Sequence, residues 1–137
     1  MIDRADRWHA ACQVPNKTTQ TLCDAISTIW LQVFGPFKIL VVDGERGLFS
    51  GEATHWFQTQ GITVRQRAVG QHARIVERRG AILRHAMHCI EEQLESEGIP
   101  VTFVQLLAQA VFCGNALITF NGASPYNARF GAAVYAA

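Results

Sequence analysis

Little in this sequence points away from an ordinary globular chain, and each thing it lacks removes a class of function. The four cysteines, Cys12, Cys23, Cys89 and Cys113, are widely spaced and form no CxxC pair. Disulfide frameworks and zinc knuckles are therefore not expected. His85, His88 and Cys89 sit close together, but no matching ligand pair lies elsewhere at a suitable spacing. No signal-peptide pattern is present. With reduced cysteines, this sets the expectation of an intracellular protein, nuclear compartments included, that is not secreted. Repeats, long linkers and a disordered composition are also missing: 49% of the residues are hydrophobic and 17% charged.

One stretch, Val101–Phe120, lacks charge altogether. It holds Gln105, Gln109, Asn115, Thr102, Thr119 and Gly114, which are expensive in lipid and cheap in a half-buried helix. A membrane partner is not expected, nor is a small-molecule substrate. The net charge of +1 excludes a uniformly basic protein. The 137 residues are long enough for one domain with a real core.

The elements follow from pattern. Trp8–Val14 alternates loosely up to the Pro15-Asn16 turn and reads as a strand. In Lys17–Phe34, Leu22, Ala25, Ile26, Ile29, Trp30 and Val33 recur at helical spacing, with Thr18 or Thr19 as cap and Gly35-Pro36 as the stop. Phe37–Val42 is a continuous apolar run, expected to be a central strand buried on both sides. Gly51–Gln60, capped by Ser50 and ended by Gly61, is a short helix with Ala53, Trp56 and Phe57 inward. Ile62–Val69 reads as an edge strand with Arg65 and Arg67 on one face. A long helix over about Arg74–Glu97 has a buried stripe from Ile75/Val76 through Ile82/Leu83, Ala86, Ile90 and Leu94. Gly98-Ile99-Pro100 breaks it before a second helix, Val101–Leu117. Residues 121–137 read as a loop-like extension. The order implies an α/β fold with a mixed sheet flanked by helices.

The chemistry concentrates where acids are scarce. Half of the twelve basic residues are arginines between Arg65 and Arg84, and Glu77 is the only acid among them. Glutamates follow at Glu91, Glu92, Glu95 and Glu97. A basic stripe is the usual footprint of phosphate binding. A lone carboxylate among arginines makes sense if it holds a metal ion against a polyanion. A hard cation such as Mg2+ wants several oxygen ligands. Asp43, ending the run Ile39-Leu40-Val41-Val42, is the candidate partner, since open α/β sheets place their chemistry at strand carboxyl ends. Glu77, Ala81, Arg84 and His88 share one helix face. Plainer readings stand beside these. Asp43 before Gly44 suits a simple turn, Glu77 suits an intrahelical pair with Arg74 or Arg78, and His72 suits a polar loop. Trp30 and Trp56 lie on apolar stripes and read as core.

Four segments in order resemble one family. Trp30–Asp43, WLQVFGPFKILVVD, is similar to a W-x-x-x-FG-x-P…D-G segment. Phe49–Gly61 matches the helix and Gly-Ile turn that follow it. Gly70–Leu83, GQHARIVERRGAIL, is similar to a loop and an "ER" helix. Gly122–Gly131, GASPYNARFG, is close to a G-x-SP-Y…FG signature. Together they resemble the catalytic core of retroviral and LTR-retrotransposon integrases, DDE transferases of the RNase H-like superfamily. The resemblance implies DNA integration by Mg2+- or Mn2+-dependent polynucleotidyl transfer, in a polyprotein fragment of a retrotransposon or similar element. It implies Asp43 as the second catalytic Asp and Glu77 as the catalytic Glu, both metal ligands. It places Gln71, His72 and Arg74 in a DNA-contacting loop, and Arg78 and Arg84 on the catalytic helix within reach of phosphates. A homodimer is a further expectation.

The resemblance also implies an incomplete core. The family's first catalytic Asp lies upstream of the position matched by Met1, so the domain is expected to be partial, without its central first strand. Asp3-Arg4-Ala5-Asp6-Arg7-Trp8 resembles the turn between the family's second and third strands. Asp3 and Asp6 are either substitutes for the missing ligand or polar hairpin residues. Two carboxylates imply weak metal binding and little strand transfer. The family's zinc-binding and basic flanking modules have no counterpart here, which implies weak DNA affinity. The alternative function is a non-catalytic remnant that binds nucleic acid or dimerises. A different RNase H-like nuclease or a DNA transposase is a third reading.

Overall fold

The computed structural model describes residues 1–68 and 73–131. They divide into two compact units: Cys12–Ala73 is one, and Met1–Ala11 with Arg74–Ala137 is the other.

In the first unit, α1 (Thr19–Ile26) starts at Thr18, whose hydroxyl accepts the Thr21 N–H. Thr19 is not the cap. Its hydroxyl donates to the Gly47 carbonyl at 2.9 Å instead. A π-helical turn, Ser27–Leu31, and α2 (Gln32–Phe34) continue the path. The widening coincides with two hydroxyls that bond back, Ser27 to the Cys23 carbonyl and Thr28 to the Asp24 carbonyl, a competition that distorts helices. Trp30 remains buried and packs edge-on against Phe34 and Phe37. Gly35, at φ 76°, ends the helix in a conformation that favours glycine.

β1 (Ile39–Val42) and β2 (Thr63–Gln66) pair in parallel, with Leu40 opposite Val64 and Val42 opposite Gln66. Between them lie a 3-10 turn, Arg46–Leu48, and α3 (Gly51–Thr59), capped by Ser50. Ala53 and Phe57 are fully buried, whereas Trp56 is half-buried and rests on Phe57. β1 corrects one expectation. Leu40 and Val42 are buried, but Ile39 and Val41 are 46% and 45% exposed. The run is apolar on both faces, yet among the described residues only one face is covered. A strand's period of two separates the faces regardless of composition.

Gly47 tests this unit's packing. A Cβ there would lie 2.8 Å from Leu22 Cδ1 and 2.8 Å from the Lys17 carbonyl oxygen. Backbone must shift to admit it, so Gly47→Ala should destabilise by about 1–2 kcal/mol. Gly51→Ala, with nothing within 4 Å, should be neutral or slightly stabilising in the same urea titration.

In the second unit, α4 (Arg74–Ser96) and α5 (Phe103–Leu117) pack together as a helical hairpin. A capping box of Thr102 and Gln105 starts α5. The α4 stripe begins one turn later than its sequence pattern suggests. Ile75 and Val76 are exposed, and the deepest α4 side chain is Arg79, at 3% exposure. No helix of the described residues is long and apolar enough to cross a membrane.

The strand expected over Trp8–Val14 shrinks to one antiparallel bridge, Ile2 to His9, with backbone bonds from Asp3 to Trp8 and from Ala10 to Met1. The reason lies at His9. Its N–H and C=O are taken by the Asn115 side-chain amide, at 2.9 and 2.8 Å, where a neighbouring strand would otherwise bond. Among the described residues the sheet is thus a two-stranded parallel ladder in one unit, with isolated antiparallel bridges Ile2–His9 and Phe120–Ala123 in the other.

Residues 121–137 are not wholly loop-like. Pro125–Phe130 forms α6, with Ser124 as cap, Pro125 in the first turn and Gly131 left-handed after it. Residues 132–137 lie outside the described residues. Tyr126 and Phe130 pack against Trp8 at 6.1 and 5.5 Å between ring centroids.

Candidate functional site

Asp43 follows the last residue of β1 and is exposed. Gly44, at φ 68°, turns the chain away immediately after it. The Asp43 carboxylate makes no hydrogen bond or ion pair with a described residue, so it is not spent on closing that turn. Glu77 stands in the first turn of α4 and is also exposed. An acid there is favoured by the positive end of the helix dipole. It pairs with neither Arg74 nor Arg78, and its oxygens have no partner among the described residues. Asp43 belongs to one compact unit and Glu77 to the other.

Arg74, Arg78 and Arg84 are all exposed on α4. Ala81, Arg84 and His88 continue the face of Glu77, and each of them is exposed. Gln71 and His72 lie outside the described residues. His88 pairs with Glu92 at 3.3 Å, and His85 lies 3.7 Å from the Cys89 sulfur, both one turn apart within the helix.

Asp3 and Asp6 are engaged elsewhere. Each closes its own turn, accepting from the Ala5 and Trp8 N–H groups. Each also holds Arg129, at 2.9 and 2.6 Å. Paired with a guanidinium that lies over the Trp8 ring, they are hairpin residues. Among the described residues no group of three or more His, Cys, Asp or Glu side chains stands ready to hold a metal ion.

Sequence reasoning missed a buried polar cluster in the second unit. The Asn115 oxygen that accepts from His9 also accepts from Arg79 at 3.3 Å. The Arg79 guanidinium lies 5.7 Å from the Phe120 ring centre. Burial lowers its pKa from the ordinary arginine value. Burial also pushes the His9 imidazole down to about 4, with the amino-terminal charge and Arg79 acting in the same direction. A signal existed in the sequence: Arg79 occupies an apolar register of α4, three or four residues from Ile75, Ile82 and Leu83.

No family model matches the chain, and no curated protein matches it in sequence. Solved structures do match. The catalytic core domain of HTLV-2 integrase, in complex with magnesium in a dimeric form, superposes with a TM-score of 0.75 at 14% identity, covering 91% of this chain and 78% of that one. The simian T-cell lymphotropic virus intasome in complex with PP2A regulatory subunit B56 gamma contains a chain with a TM-score of 0.73 at 16% identity; the match covers 92% of this chain and 45% of that one. The BIV integrase core gives 0.64 at 17% identity, over 84% of this chain and 72% of the other. Across most of its length, this chain has the fold of a retroviral integrase catalytic core.

Proposed function

We propose that this chain is an integrase-type core that binds DNA and a divalent metal for polynucleotidyl transfer. The observation that carries this reading is the fold likeness, supported by two exposed carboxylates that have no partner among the described residues. Asp43 ends a strand and Glu77 opens a helix. Carboxylate oxygens suit Mg2+ or Mn2+ in kind. In this reading Asp43 and Glu77 would each offer carboxylate oxygens to a divalent metal, which would supply charge stabilisation for phosphoryl transfer. Arg74, Arg78 and Arg84, with Gln71 and His72, hold the DNA backbone.

Calorimetric titration with Mn2+ tests the pair. The reading expects weak saturable binding that Asp43→Asn and Glu77→Gln each abolish. Equal binding by both variants would overturn the assignment. Filter binding to a short duplex over a range of salt tests the arginines. Each of Arg78→Ala and Arg84→Ala should lower the salt slope by about 1 if it removes one phosphate contact.

The commitment of Asp3 and Asp6 to Arg129 favours a second reading, a core that binds DNA or pairs with a copy of itself without turning over. DNA binding with no Mn2+ binding and no strand transfer would select it.

A further inference from the structure

A cavity of about 190 Å³ opens within the second unit, between α4 and α5. Its walls include Ile82, Leu83, Ala86, Ala110, Val111 and Leu117, and its polar lining is Arg79 and His9. Arg79 is 97% buried by its 3% exposure, yet no carboxylate pairs with it among the described residues. Buried arginines ordinarily have such a partner, because an uncompensated charge in a protein interior is costly. Here Asn115 gives the guanidinium one bond, at 3.3 Å. The buried Nε–H has no hydrogen-bond partner among the described residues.

The surroundings hold this charge in place. A Cβ at Gly114 would come within 3.1 Å of both terminal guanidinium nitrogens, so the bare α5 backbone leaves room for them. Asn115 is itself fixed by His9 on both sides of its amide. The guanidinium is therefore positioned before any ligand arrives, without a carboxylate partner among the described residues.

We propose that this cavity binds a small organic monocarboxylate, its carboxylate on Arg79 and its apolar body against α4 and α5. A guanidinium presents a planar fork that matches carboxylate geometry. The cavity is partly open to solvent, and its volume of about 190 Å³ exceeds the roughly 150 Å³ of an apolar cavity able to take up benzene, leaving room for a benzoate-sized molecule. The proposal stands apart from the metal and DNA reading and uses none of its residues.

Benzoate is the probe, with benzamide as its uncharged counterpart, each titrated into the whole chain by calorimetry. Benzoate should bind at one saturable site and benzamide at least tenfold more weakly. Arg79→Met should weaken benzoate at least tenfold, and the exposed Arg4→Met should leave it unchanged. Val111→Phe, which fills the cavity and keeps the charge, should also weaken it tenfold. If Arg79→Met fails to fold, the wild-type Arg79 Nε–H resonance decides, since it must shift saturably with benzoate. Benzoate binding that is absent, matched by benzamide, or unaffected by Val111→Phe would overturn the proposal.

Discussion

Asn115→Ala should cost about 3–5 kcal/mol of unfolding free energy. Three bonds go at once. The His9 N–H loses its acceptor, the His9 carbonyl loses its donor, and Arg79 loses the Asn115 oxygen. Asn115 is 2% exposed and His9 is 8% exposed, so water cannot readily replace what is removed. Leaving a buried polar group unsatisfied costs about 1–3 kcal/mol, and more for a charged one. Domains have only about 5–15 kcal/mol in all, so the variant should stand near the edge of folding. Urea titration of wild type and variant at neutral pH measures the difference. Asn115→Asp should lose less, because its carboxylate still accepts from His9 and gains a charge-assisted bond to Arg79. A loss below about 1 kcal/mol for alanine would mean the cluster contributes little beyond packing.

Mild acid should destabilise the protein through His9. The imidazole is held down to about 4, below its ordinary 6.5, so it stays neutral in the fold where the unfolded chain would take up a proton. Stability is then fully present above pH 6.5 and is lost as the pH falls toward 4. A depression of this size corresponds to a loss of about 3 kcal/mol across that window. Carboxylates titrate nearby, so the measurement is a difference. Urea midpoints of wild type and His9→Gln are compared at pH 7, 6, 5 and 4.5. The gap between them should shift steadily against wild type as acid is added. A gap independent of pH would mean His9 titrates normally.

What the sequence reveals depends on how local the cause is. The α1 start at Thr18, the stop at Gly35 and the α3 cap at Ser50 are neighbour effects, and all are legible. So was α6, in principle: Ser124, then Pro125, then a left-handed Gly131 is a helix-start and helix-stop signature. The glycine- and alanine-rich tail obscured it. The burial of β1 was not legible, because composition does not say which face finds a covering element. Asp43 stands exposed just after β1 and Glu77 exposed in the first turn of α4, the positions that the apolar run and the helical pattern predict. The His9–Asn115–Arg79 cluster escaped because its members are joined only by folding. No local pattern marks Asn115 as the amide that completes a strand edge. Arg79 was hidden among the other arginines of its helix, which face solvent.

The clamp of Arg129 on Asp3 and Asp6 has a consequence for the order of events during synthesis. Its partners are separated by 123 and 126 positions, and His9 waits for Asn115 across 106. On a ribosome, this hairpin is made well before Arg129 and Asn115, and cannot be fastened until they have been added. Cys12–Ala73 has its own contacts complete by residue 73, so it is free to fold while the rest is still being translated. Contacts this distant in sequence slow folding, and domains tend to form in the order they are made. The hairpin is thus made ahead of Cys12–Ala73 and yet is among the last parts of the described chain to find its place.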